Sequence, residues 1–239
     1  LLSVVILILA VVGGLFLCDR VTRRDDAERK FGSFFSEKQD IDVFFMGTSH
    51  VLDGVTPMEL WRDYGLTSYN MATSSETLDM TEQILKLSTQ THKPKLAVID
   101  VYYIDKPDNL EWTYSYRHLF FDAVPFSPAK LRAVQALLPR SEWLEFMMPF
   151  SLYHSRWEEL LSGQSTRLVD CEPFMMGSEM RIGTCIPLPY TRTHEMTADE
   201  LPGEAALRRI VAYCRGNGIE PVLMALPAPV SEQEQMNMN

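Results

Sequence analysis

Residues 42–55 read DVFFMGTSHVLDGV. Four apolar residues run without alternation from Val43 to Met46, stop at Gly47, and give way to Thr48, Ser49 and His50. An unbroken apolar run of this length is the pattern of a strand buried on both faces of a parallel sheet. A glycine directly after it permits a sharp turn. The stretch therefore predicts an α/β domain, with Ser49 at the carboxyl edge of the first strand and at the start of the following helix.

The neighbouring segments repeat the alternation of strand and helix. TPMELWRDYG (56–65) reads as a short helix closed by Gly65, and TSYNMA (67–72) as a second strand. Leu78, Ile84, Leu85 and Leu87 form a helical stripe starting near Ser75 or Glu76, which THKPK (91–95) ends. LAVIDVYYI (96–104) is a third, continuously apolar strand. This β-α-β-α-β order with short connections implies parallel strands and right-handed crossovers. The same rhythm returns in a helix over ADELPGEAALRRIVAYCRGNG (198–218) and a fourth strand, PVLMALP (221–227).

Between them, residues 105–198 form a large irregular insertion after strand three, expected to lie over a sheet edge. Short helical pieces are read at 127–138, 141–148 and 151–161. The aromatic run EWTYSYRHLFF (111–121) reads as the insertion's own small core, with stacking on a sugar as the alternative. The methionine pairs read as packing material.

The 239 residues suffice for one such domain with an appendage. A formal charge of −10 leaves no basis for a nucleic-acid surface, which needs clustered Lys and Arg. No Gly-rich phosphate loop follows any strand. Residues 1–17, LLSVVILILAVVGGLFL, carry no charge and give about 25 Å of helix. That is near the short limit for a bilayer span, so residues 1–18 are expected to anchor the chain in the membrane. Lipidation at Cys18 is not expected, because Leu17 stands where a small residue is required. Residues 19–40 read as a charged, partly helical connector and 41–239 as the domain, taken as incomplete at its C-terminus because strand four has no closing helix. Neither a metal nor a cofactor is expected, since none of the four cysteines forms a zinc-spaced set. Cys171 and Cys185 share one segment and are either bridged or free thiols.

Two readings of Ser49 stand. It, or Thr48, is a helix cap; or it is a nucleophile presented where ligands bind in an open parallel sheet. The second strand ends beside it with Asn70, whose amide is suited to holding an oxyanion, and with small residues at 72–75.

FFMGTSH, TSYNMATSSET and KPKLAVIDVYYI, together with FDAVPFSPAKLRAV and MPFSLYHSRWEEL, resemble the SGNH/GDSL hydrolase superfamily. The nearer likeness is to its membrane-anchored bacterial branch, similar to DltD and the proteins that accompany membrane-bound O-acyltransferases. The resemblance implies a flavodoxin-like, three-layer fold and a single-pass protein with an extracytoplasmic catalytic domain. It implies a serine esterase or acyltransferase acting on acyl groups of a cell-envelope glycopolymer. Ser49 is then the nucleophile, and its own N–H, that of Ala72 and the amide of Asn70 form the oxyanion hole. His50, Asp53 and His154 are expected to contact substrate, and Asp100 to face the crevice. His92, His118 and His194 are read as loop or surface residues. The chain departs from the family in having GTS for GDS and DVYYID where a GxND block would stand. The family's Asp-x-x-His pair, the source of the general base, would fall beyond Asn239. The rival reading is a non-catalytic accessory protein of the same fold that binds polymer or a membrane-bound O-acyltransferase.

Overall fold

A computed structural model describes residues 2–163, 168–181, 197 and 200–226. Four parallel strands form one sheet: β1 (Val43–Met46), β2 (Ser68–Asn70), β3 (Leu96–Asp100) and β4 (Glu220–Met224), in the order β2-β1-β3-β4. Phe44 pairs with Tyr69 on one side and Ala97 on the other, which fixes the register. Strand three is shorter than the apolar run suggests. After Asp100 the chain turns, because the Asp100 carboxylate accepts the Tyr102 N–H at 3.1 Å and competes with further pairing.

The short helices α4 (Ser49–Gly54) and α5 (Pro57–Tyr64) join β1 to β2. Pro57 opens α5 and Gly65, at φ +67°, closes it, as the sequence predicts. Helix α6 (Leu78–Ser88) joins β2 to β3, and α12 (Glu204–Gly216) leads into β4 and packs on α6. The two sheet faces are distinct. Phe44 and Tyr69 meet Phe34 edge-on at 5.5 and 5.0 Å, while Asn70, one residue along β2, reaches α4 on the other side.

Helix α1 (Leu2–Thr22) is exposed along nearly its whole length. It is long and apolar enough to cross a membrane. Residues 19–40 are more than a spacer. α2 (Asp25–Ala27), a π-helical turn (Glu28–Gly32) and α3 (Ser33–Ser36) run on without a break and drive Phe31 and Phe34, both fully buried, into the core.

The insertion is largely helical. It contains α7 (Leu110–Phe121), α8 (Pro128–Leu137), α9 (Trp143–Met147), α10 (Phe150–Tyr153), a 3-10 turn (His154–Arg156) and α11 (Trp157–Ser162). Helix α7 occupies the aromatic run and is capped by Asn109, whose side chain accepts the Trp112 N–H. Tyr114, His118, Phe121 and Phe146 pack on one another with ring centroids 3.8–5.9 Å apart, so these rings do form a small core. His118 is not a surface residue: it is buried, with Nδ1 3.0 Å from Asp122 Oδ1. His92 is also buried and bonds the Phe34 carbonyl at 3.1 Å. His194 lies outside the described residues. Part of the insertion borders the β2 edge of the sheet, where the Asn70 N–H donates to the Met176 carbonyl at 2.9 Å.

Candidate functional site

Strand β1 is flanked by β2 on one side and β3 on the other, so the crossover from β1 to β2 and the next, from β2 back past β1 to β3, run in opposite directions. A crevice opens at the carboxyl ends of strands where the winding reverses. Gly47, Thr48, Ser49 and His50 stand at that point, beside Asp100 and Tyr102 at the end of β3.

Gly47 adopts φ +148°. Its missing side chain is the space the Asp100 carboxylate fills: a β-carbon there would collide with Asp100 Cβ and lie 3.1 Å from Val51 Cγ2. Asp100 is 2% exposed. Its Oδ2 accepts the Thr48 hydroxyl at 3.2 Å and its Oδ1 accepts the Tyr102 N–H. Burial raises its pKa above the usual carboxylate value, while these hydrogen bonds and the nearby His50 pull in the opposite direction.

Thr48, rather than Ser49, caps α4, accepting the His50 N–H at 3.4 Å. Ser49 is the first residue of the helix and is half-buried. Neither its hydroxyl nor its N–H has a hydrogen-bond partner among the described residues. The capping account is thus satisfied by a neighbour, and the Ser49 hydroxyl is left over. His50 is half-buried, with its ring edge-on to Tyr102 at 4.1 Å and Nδ1 enclosed without a hydrogen-bond partner among the described residues.

The end of β2 does lie beside that of β1. The Met71 N–H donates to Phe45 O at 2.7 Å and the Thr73 N–H to Gly47 O at 3.1 Å. Two of the three expected oxyanion donors are nevertheless committed elsewhere in this structure. The Asn70 amide is buried and donates to the carbonyls of Val51 at 2.7 Å and Val55 at 3.0 Å, pinning the last turn of α4 to the sheet. Its Oδ1 accepts the Ala72 N–H at 3.1 Å. Ser49's own N–H is the one of the three left unengaged.

Asp53, on the exposed side of α4, lies 3.7 Å from the Arg181 guanidinium, which also bonds Glu179 at 3.0 Å. Partial burial raises the Asp53 pKa and Arg181 opposes it. His154 is exposed on its 3-10 turn, and that turn packs with α10 against α1, so it does not join the Ser49 group. Cys171 is a buried free thiol, and Cys185 lies outside the described residues. No cluster of three His, Cys, Asp or Glu suited to a metal occurs among the described residues.

Two buried ionisable groups behind the crevice have no signal in the sequence. Lys30 is fully buried and donates to the Asn70 carbonyl at 2.8 Å and to the Gly177 carbonyl. Burial lowers its pKa. Glu76 accepts the Thr73 N–H at 2.9 Å and so holds the loop that leaves β2. A cavity of about 350 Å3, lined by Ile41, Pro57, Met58, Trp61, Thr67 and Phe174, opens beside the amino ends of β1 and β2. It lies away from Ser49.

The fold and site thus define an α/β domain with a four-stranded parallel sheet behind an N-terminal apolar helix, offering one unengaged serine at the winding reversal. No protein-family model matches the chain, and no curated protein matches it.

Proposed function

We propose that this is a membrane-anchored, extracytoplasmic serine esterase or O-acyltransferase with the flavodoxin-like SGNH fold, acting on acyl groups of a cell-envelope glycopolymer. One observation carries the reading: Thr48 takes the cap of α4, leaving the Ser49 hydroxyl and N–H unengaged at the carboxyl edge of β1. In this mechanism Ser49 Oγ attacks the acyl carbonyl, and the Ser49 N–H receives the developing oxyanion. The bond to the leaving alkoxide breaks, and the serine proton passes to that alkoxide through a base. By the family resemblance the base belongs to an Asp-x-x-His pair. Ala72 N–H joins the oxyanion site only by leaving Asn70 Oδ1, and water or an acceptor hydroxyl then releases the acyl group.

The non-catalytic accessory reading is favoured by a different observation. The Asn70 amide and the Ala72 N–H are internally satisfied, and no imidazole or carboxylate bonds Ser49 among the described residues. A fluorophosphonate probe applied to the protein in its native membranes separates the two. Labelling of the wild type, lost by at least a hundredfold in Ser49→Ala, is the expected result. Absence of labelling in both proteins overturns the catalytic reading in favour of the accessory one.

A further inference from the structure

We infer that helices α8 to α11, beside α1, form a second membrane contact that rests on the headgroup region of the bilayer. This rests on reading α1 as a membrane span. Phe16 lies inside the uncharged stretch of α1, six residues before its end at Thr22, or about 9 Å along the axis. Its ring meets that of Phe126 edge-on at 5.7 Å. Phe126 therefore sits at a level of the molecule that the spanning helix assigns to the border of the hydrocarbon. It immediately precedes the Ser127 cap of α8 and is 61% exposed.

The elements that follow continue this level around α1. Helix α8 packs on α9, α9 on α10, and α10 on α1. They carry large apolar side chains left uncovered among the described residues: Leu144 on α9 is 75% exposed, and Leu161 on α11 is 80% exposed. Trp157, whose ring suits a membrane–water boundary, is also more than half exposed. Phe126, Leu144, Trp157 and Leu161 thus bring exposed large apolar side chains to elements that pack in succession beside α1.

The charges identify that partner as lipid. Arg20, at the end of α1, Arg132 on α8 and Arg140 after it are exposed and make no ion pair or hydrogen bond among the described residues. Unpaired guanidinium groups on the same run of elements, at the end of α1, on α8 and just before α9, match lipid phosphates. The chain as a whole carries a charge of −10, so an anionic surface does not attract it at long range. The contact is instead made effective by α1, which confines this face to the bilayer surface at high local concentration. One consequence is orientation: the domain lies against the membrane on its insertion side instead of swinging on a single helix.

The test uses the full chain in nanodiscs of phosphatidylcholine and phosphatidylglycerol, with Cys18 and Cys185 replaced by serine. Nitroxide labels are placed singly at Phe126→Cys, Leu144→Cys, Val11→Cys in α1 and Trp61→Cys on α5. Collision with oxygen, which enters lipid, is compared with collision with a water-soluble nickel chelate. Labels at 126 and 144 are expected to favour oxygen several-fold more than the label at 61 does, with that at 11 favouring it most. A lipid-facing label at 11 with an aqueous one at either 126 or 144 overturns the docking face and leaves the span intact. An aqueous label at 11 overturns the span, and the docking face with it.

Discussion

Gly47→Ala is expected to destabilise the protein by about 4 kcal/mol, read as a fall in the apparent unfolding midpoint of the detergent-solubilised chain. Two costs act together. At φ +148° an L residue pays backbone strain of about 1–3 kcal/mol. The new methyl also collides with Asp100 Cβ and crowds Val51, an overpacking cost of about 1–3 kcal/mol. The reduced entropy of the unfolded chain returns less than about 1 kcal/mol. Relief by moving Asp100 is limited, because its carboxylate is held from both sides by the Thr48 hydroxyl and the Tyr102 N–H. The two costs separate in a double mutant. Adding Asp100→Gly to Gly47→Ala removes the β-carbon that the new methyl meets and so relieves the collision, while the φ strain stays. The pair is expected to be less than additive by about 1–2 kcal/mol. A Gly47→Ala protein within 1 kcal/mol of wild type would mean that β1 does not end as described.

Strands β1 and β3 were legible because burial on both faces leaves an unmistakable apolar run, and VFFM and LAVID each carry one. Helix α6 was legible from its stripe, and the ends of α5 from Pro57 and Gly65. Helix α7 was missed because its buried face includes Thr113, Arg117 and His118, which blur the contrast between faces. Arg117 is tolerated inside through partners the local sequence does not reveal: Thr113 Oγ1 at 2.6 Å, the Leu137 carbonyl at 3.0 Å and Asp108. Lys30 misleads in the same way. It sits in the charged string ERK, yet its ammonium ends at carbonyls 40 and 147 residues away.

At the candidate site the sequence placed Ser49, Asn70 and Ala72 at adjacent strand ends, since position along a parallel strand follows from the pattern. It did not determine which of Thr48 and Ser49 takes the cap. Nor did it reveal that the Asn70 amide turns toward α4, because hydrogen-bond direction depends on how helices seat on the sheet. The closing loop of β2 depends in turn on Glu76, whose charge state has a measurable consequence.

The stability of the protein is expected to fall by about 4 kcal/mol between about pH 4.5 and pH 8 through Glu76 alone. This carboxyl is 2% exposed, and burial raises its pKa from 4.5 to about 8. The local geometry suits the protonated form. Oε2 accepts the Thr73 N–H and the Thr73 hydroxyl. Oε1 lies 2.6 Å from Thr81 Oγ1, and that hydroxyl lies 3.1 Å from the Thr77 carbonyl. A protonated Oε1 can donate to Thr81 while Thr81 donates to Thr77, leaving no proton without an acceptor.

An acid whose pKa is higher folded than unfolded stabilises fully below the unfolded value, and the gain is lost as pH rises through the folded one. At about 1.4 kcal/mol per unit, a window of about 3.5 units, with titration only half complete at each edge, gives the stated fall. Lys130, lowered by burial to about 8, is protonated in both states across most of this window and contributes little slope. Lys30, also lowered, opposes the trend if it titrates there. The reading is therefore the difference between wild type and Glu76→Gln. The amide keeps an acceptor for Thr73 and can donate to Thr81, but cannot ionise. Glu76→Gln is expected to show a flatter profile than wild type and to be the more stable protein above pH 8. Parallel profiles would mean that Glu76 is ionised in the folded protein throughout. The loop beside Gly47 would then be held by a buried carboxylate instead of a neutral acid.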